Sequence, residues 1–262
     1  AQHPPLGGIN WTTALEIALR SISWMWTLAC LQSRDNWSDG VLVRIRRSLA
    51  QHGHFLARNL SRYSSPYNHL VGECAALYLV SKAIPSFEWS ETWSATATET
   101  LNDCIGNQIY SDGFTLEQST SYQYFTLGFL CLAQAAAQLS GDPNLDLSPH
   151  IGNAARAGRA FEAVPGRWAA IGDTDSARAI PTTFASYRNF GGDSTLASVL
   201  VDGIPPTCKE SIGETLWMLG GDGIKRFDKQ SRPERPANRL LNDSGYAITT
   251  SPAGDWICLD GG

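Results

Sequence analysis

The stretch that most constrains this chain runs from Asp112-Gly113 to Gly141. From Tyr122 its apolar positions are Tyr122, Phe125, Phe129, Leu132, Ala136 and Leu139. Steps of three and four residues define one face of a buried helix, and Gly141 marks its end. Asp112-Gly113 is a turn dipeptide. Thr115 and Gln118 fit a capping box, so the spacing predicts a helix start at about Thr115. Acid, amide and phenol groups would thereby gather at a helix mouth, where free backbone N–H groups favour anions. Taken by themselves, these residues fit two readings: a functional cluster, or a cap (Glu117, Gln118) followed by an ordinary core residue (Tyr122).

The same periodicity recurs along the chain. Thr13 and Glu16 form a second capping box, continued by Leu15, Leu19, Ile22, Trp26 and Ala29, and Glu16 is spaced to pair with Arg20. After a polar break from Ser33 to Gly40, a helix is marked by Ile45, Leu49, His52 and Leu56. His52 and His54 read as helix residues rather than ligands, because no carboxylate is spaced to join them. Tyr63 to Pro66 is a loop, and Tyr67-Asn68-His69 opens a helix that stops at Pro85. Trp89, Trp93, Leu101, Ile105 and Ile109 mark a fourth helix, and the two tryptophans read as core. A sixth helix is expected from His150 to Val164, then an exposed loop from Pro165 to Pro181 holding Trp168 and Gly172-Asp173-Thr174-Asp175. Ile212 to Leu219 is the clearest of several shorter helices that follow. Helices joined by short loops imply a stack of antiparallel helix pairs.

Near the end the character changes. Arg232 to Arg239 is rich in Pro and Arg, while residues 245–250 and 255–259 have strand composition around a turn at Pro252 to Gly254. Two strands alone are marginal in water and need partners. The expected division is a helical domain over 1–231, a connector over 232–243, and the start of a β domain over 244–262.

Hydrophobic residues make up 43% of the 262 and charged residues 17%, which suits a buried core rather than disorder. A net charge of −5 argues against general binding to nucleic acid or a membrane surface. No apolar run is long enough to span a bilayer. The six cysteines (Cys30, Cys74, Cys104, Cys131, Cys208, Cys258) are widely spaced with no C-x-x-C pair, so they do not read as a metal framework, and the four that fall inside apolar helical faces read as core thiols. The chain opens without an initiator Met in loop-like sequence and stops at Asp260-Gly261-Gly262, just past strand-like residues. The expectation is therefore an internal fragment of a longer protein.

Asn68-His69, Asp112-Gly113 and the run Glu117-Gln118-Ser119 to Tyr122 resemble motifs of the heparinase II/III-type polysaccharide lyases, the group that includes alginate lyases and heparinase III. Trp11 to Arg20 and Asp243-Ser244-Gly245-Tyr246 to Gly262 resemble the same family in the same order. The resemblance implies a mainly α fold, an incomplete (α/α) toroid followed by the first strands of an antiparallel β-sandwich. It implies β-elimination on a uronic-acid polysaccharide, an acidic polysaccharide or oligosaccharide as partner, and a periplasmic or secreted location. The family's catalytic Asn falls on Asn68, the neighbouring His on His69 and the Tyr on Tyr122. Glu73 and Glu117 match acidic positions near the site, with Asp112 beside them, and Asp173 and Asp175 lie in a loop resembling one near the family's cleft. No cofactor is implied within this chain. The family's further functional His, and in some members a structural metal, belong to sandwich sequence beyond Gly262.

This chemistry suits these residue types. β-Elimination removes the weakly acidic proton beside a uronate carboxylate, so the carboxylate must be neutralised and the enolate-like intermediate stabilised. Asn68 can donate through its amide, and His69 can donate or carry positive charge. A helix N-terminus also favours developing negative charge. Tyr122 can take the proton as phenolate or give one to the leaving oxygen; with a reference pKa of ~10, the first role needs a positive local field. Residue by residue, Asn68 also fits an N-cap, His69 a structural histidine, and Trp168 a sugar platform on a loop. Two rival functions remain: an (α/α)-barrel glycoside hydrolase drawing two carboxylates from Asp112, Glu117, Asp173 and Asp175, and a non-catalytic carbohydrate-binding fragment.

Overall fold

The computed structural model describes residues 4–31, 39–164, 167–173, 177–179 and 238–261. Among these, six helices precede a set of antiparallel strands: α1 (Ala14–Leu31), α2 (Asp39–Arg58), α3 (Asn68–Ala83), α4 (Ser90–Gln108), α5 (Thr120–Ser140) and α6 (Ser148–Ala160). The expected helix at Ile212 to Leu219, Asp175, and most of the polar break before α2 lie outside the described residues. The chain divides into two compact units, one of Ala1–Cys104 with Ala136–Leu145, the other of Ile105–Ala135 with Asp146–Gly262.

In the first unit, α1 packs against both α2 and α3. The expected cap of α1 forms: Thr13 Oγ1 accepts the Glu16 N–H at 3.3 Å. Arg20 does not make the expected pair with Glu16. Its guanidinium reaches back to the carbonyl of Asn10 at 2.7 Å, a strong acceptor at the turn that leads into the helix. Helix α3 is buried on nearly every side, from Leu70 and Val71 through Cys74, Leu77 and Tyr78 to Val80. A helix apolar all round can only sit inside a core. The two histidines of α2 are structural, as expected: His52 lies against Trp11 and Trp24, and His54 against Trp89 and Trp93.

The last turn of α3 is tied down by charge. Asp142 Oδ2 accepts from Lys82 Nζ at 2.5 Å and from the Tyr78 hydroxyl at 2.9 Å, while Oδ1 takes the backbone and side-chain amides of Asn144. Lys82 sits where the helix dipole favours a cation. The bond from the Lys82 ammonium, more than any other contact, lowers the Asp142 pKa from 3.8 to about 2.

The second unit is built around three rings. Phe114, Phe161 and Tyr246 pack with centroids 4.6, 5.4 and 5.2 Å apart. They bring together the turn before α5, the end of α6 and the strand that begins at Tyr246, and Leu241 and Ile248 close the same core. Helix α6 ends at Ala160, short of the expected Val164. Glu162–Val164 is strand β1, which pairs antiparallel with β2, Arg167–Trp168. Burial of Phe161 in the ring cluster turns the chain out of the helix, and the backbone N–H of Ala169 bonds to the Phe161 carbonyl at 3.0 Å. Trp168 therefore lies on a strand rather than in an open loop.

The two strands foreseen near the end are β4 (Tyr246–Thr250) and β5 (Trp256–Asp260), and their missing partner is β3, Asn238–Leu241. These three form an antiparallel sheet in the order β3-β4-β5, with Leu241 opposite Tyr246 and Ile248 opposite Cys258. Residues 238–241 thus belong to the sheet rather than to the expected connector. The neighbouring Pro and Arg hide the short apolar pair Leu240-Leu241.

Two tests follow from this packing. A carboxyl whose pKa is depressed by folding adds stability above its unfolded value and loses it as pH falls through the folded one. Asp142→Asn should melt below the parent chain at neutral pH, with the gap narrowing as the pH falls from 3.8 towards about 2; a gap independent of pH would remove the charge explanation. Gly113 has φ +94, and a Cβ there would meet the Asn153 carbonyl oxygen at 2.4 Å. Gly113→Ala should cost at least about 1–3 kcal/mol, read from a denaturant melt.

Candidate functional site

In the first unit, Asn68, His69 and Glu73 share the opening of α3. Tyr67 occupies the N-cap position and makes no side-chain cap, so Asn68 is the first helical residue and not the N-cap that Asn often provides. Asn68 is buried and His69 half-buried. Desolvation lowers the His69 pKa, so the ring is neutral at neutral pH and donates a single N–H instead of carrying charge.

Glu73 has no exposed surface. Its Oε2 accepts the Ser61 N–H and its Oε1 the Ser61 hydroxyl, each at 2.7 Å. Burial pushes its pKa up, against the pull of these two bonds. The carboxylate therefore grips the loop that delivers the chain to Asn68, and both of its oxygens face protein. Arg62, next in that loop, reaches Thr100 Oγ1 of α4 at 2.7 Å.

In the second unit, Asp112, Glu117, Tyr122 and Asp173 lie around the start of α5. That helix begins at Thr120, five residues after the expected Thr115. Thr115 is held in extended pairing with Ile109, and its N–H goes to the side chain of Gln123 at 2.8 Å. Gln118 adopts φ 51, a left-handed conformation no helix can pass through. The expected capping box does not form, and the hydroxyl of Thr115 is buried without a partner among the described residues. Ser119 is the cap: its Oγ accepts the Tyr122 N–H at 3.2 Å and donates to the Asp173 carbonyl. Thr120 Oγ1 donates to the Ala169 carbonyl at 2.9 Å and accepts the Ile171 N–H at 3.1 Å. Segment 169–173 is thereby stitched to the first turn of α5, leaving Tyr122 half-buried and the Asp173 side chain exposed.

Asp112 spends its carboxylate on the chain itself. Oδ2 accepts the N–H groups of Asp243 and Ser244 at 2.9 and 2.8 Å and the Ser244 hydroxyl at 2.9 Å, and Oδ1 accepts the Phe114 N–H at 3.2 Å. Gln123, unremarkable in the sequence, is a buried staple that donates to the carbonyls of Gly113 and Ala154. Glu117 is half-buried beside these groups. Ser119 was legible as a cap type but not as the cap, because the hydroxyl three residues before Gln118 competes for that role in the sequence. Among the described residues, no three His, Cys, Asp or Glu side chains are gathered as metal ligands, and no helix is long and apolar enough to cross a membrane.

Comparison with known proteins connects these positions to a family. The chain is similar to a solved heparinase III structure at TM-score 0.59 and 18% identity, over 90% of this chain and 34% of the other. It is likewise similar to a mutant heparan sulfate lyase from Pedobacter heparinus at TM-score 0.61 and 19% identity, over 91% and 34%. The chain thus spans about a third of the length of the solved structures it matches. This likeness shows the fold, an incomplete (α/α) toroid followed by strands of an antiparallel β-sandwich. None of the curated proteins matches the chain. The family model for the heparinase II/III N-terminus matches residues 4–145, more than half of the sequence, and by that match the chain belongs to the heparinase II/III family.

Proposed function

We propose that this chain carries catalytic residues of a polysaccharide lyase that cleaves a uronic-acid polysaccharide by β-elimination. The observation that carries the proposal is the family match over 4–145, which includes Asn68-His69 at the first turn of the buried helix α3. In the reaction, a base removes the proton on the carbon next to the carboxylate. The electron pair forms a carbon–carbon double bond, and the glycosidic oxygen one carbon further along leaves and takes a proton. Every step is a proton transfer or a bond rearrangement within the substrate.

The assigned roles are those the family resemblance implies, and the surroundings of each residue support them. Asn68 and His69 donate hydrogen bonds to the substrate carboxylate, with the N-terminal end of α3 adding its partial positive charge. His69 acts as a neutral donor, in keeping with its lowered pKa. Tyr122, with its backbone held by Ser119, is the proton-transfer group. Glu73 and Ser61 position Asn68 without meeting substrate. Glu117, Asp173 and Asp175 are assigned to contacts with sugar hydroxyls. An acidic polymer of this kind is met outside the cytoplasm, so the same reading includes a periplasmic or secreted location. The hydrolase alternative draws less support, because the Asp112 carboxylate already accepts four bonds from the chain and is poorly placed to serve as an acid or base.

The test is an assay on several uronate polymers, read by the near-ultraviolet absorbance of an unsaturated product. Tyr122→Phe should lower turnover by ~10²–10⁴ and Asn68→Ala by ~10²–10³, with KM little changed in both, the pattern of groups acting mainly in the transition state. Saturated products would establish a hydrolase. Binding without turnover in a chain extended through the sandwich would establish a carbohydrate-binding protein.

A further inference from the structure

Arg20 stands out in the first unit as a half-buried cation. Its Nη2 donates to the Asn10 carbonyl, and among the described residues it has no carboxylate partner. Glu16, one turn earlier on α1, is exposed. A guanidinium has five donors in a planar fork, and charge withdrawn from water is normally paired. Arg20 borders a cavity of about 340 Å³ lined with Trp11, Trp24, Asn10, Ser48 and Gln51.

The floor of this cavity is a histidine that carries no charge of its own. His52 is 2% exposed, with the rings of Trp11 and Trp24 at centroid distances of 5.4 and 5.0 Å. Its Nδ1 lies 3.0 Å from Ser21 Oγ, whose own proton goes to the Ile17 carbonyl at 2.7 Å. Ser21 must therefore accept, which places the ring proton on Nδ1. Burial first, and the Arg20 charge second, lower the His52 pKa to about 4. Positive charge in the cavity at neutral pH thus comes from Arg20.

We propose that the cavity between Trp11, Arg20, Trp24 and Gln51 binds a uronate ring of the acidic polysaccharide. Arg20 would pair with the sugar carboxylate, and a guanidinium suits a carboxylate better than an ammonium does because two parallel N–H bonds match its two oxygens. The indole rings provide apolar walls for the C–H faces of the sugar, and Asn10, Ser48 and Gln51 supply hydrogen bonds for its hydroxyls. Apolar walls with a few convergent polar groups are the usual makeup of a small-molecule site. The choice of a uronate over other ring carboxylates rests on the proposed lyase function.

The experiment is calorimetric titration of the chain with a glucuronate-containing tetrasaccharide and with its carboxyl-reduced counterpart. Arg20→Gln should weaken uronate binding about tenfold to a hundredfold, Arg20→Lys should recover part of the loss, and the carboxyl-reduced sugar should bind the parent chain as poorly as the uronate binds Arg20→Gln. Ser48→Phe, which puts a ring into the cavity while keeping Arg20, should abolish binding, and unchanged melting of each variant guards against misfolding. Equal uronate affinity in Arg20→Gln, equal binding of the carboxyl-reduced sugar, or no binding by the parent chain would overturn the proposal. Failure of the lyase reading is separable: Arg20-dependent binding without unsaturated product leaves the cavity assignment standing, and cleavage with an unchanged KM in Arg20→Gln removes that assignment alone.

Discussion

Glu73 places a carboxylate where no water reaches it and satisfies both oxygens with the backbone and side chain of Ser61. A buried carboxylate without such partners would be costly enough to rearrange its surroundings. The loop ahead of α3 is therefore fixed relative to the helix body, and with it the position at which Asn68 and His69 start the helix. The burial of α3 on nearly every side supplies the rest of the constraint, since a close-packed helix cannot rotate without opening voids or forcing clashes. Asn68 and His69 thus inherit their placement from core packing and one buried acceptor.

The second unit uses the same device with a different acid. Asp112 collects three donors from Asp243 and Ser244, which binds the turn before α5 to the loop between β3 and β4. The ring cluster of Phe114, Phe161 and Tyr246 packs beneath it. Ser119 and Thr120 then tie segment 169–173 to the first turn of α5, so that Tyr122 emerges from a helix end whose partners come from distant parts of the chain. The left-handed Gln118 is the cost of that arrangement, a residue held off the preferred backbone regions directly before the helix.

Charge is treated differently in three places. Asp142 is ionised and fully engaged by Lys82, Tyr78 and Asn144, which makes it a clamp. His52 is buried and neutral, part of an aromatic floor. Arg20 is half-buried and donates to the Asn10 carbonyl, with no carboxylate partner among the described residues. The difference lies in the neighbours each group meets, and composition does not report it.

Local periodicity was enough to locate α1, α3, α4 and α5, because a three-to-four spacing of apolar residues has few other uses, and strand composition located β4 and β5. Asn68, His69 and Tyr122 were singled out by a resemblance to the heparinase II/III-type lyases, which periodicity alone does not supply. Three matters were decided only by tertiary structure. The start of α5 moved from Thr115 to Thr120, because Gln123 and Ile109 claimed the backbone of Thr115 and left Ser119 to cap. The end of α6 came early, and β3 emerged from a Pro- and Arg-rich stretch, because Phe161, Leu241 and Tyr246 share one core. Arg20 left its helical neighbour Glu16 for the Asn10 carbonyl. In each case a partner distant in sequence, or a backbone group with no side-chain signature, outbid a local pairing; spacing along the chain records only the local offer.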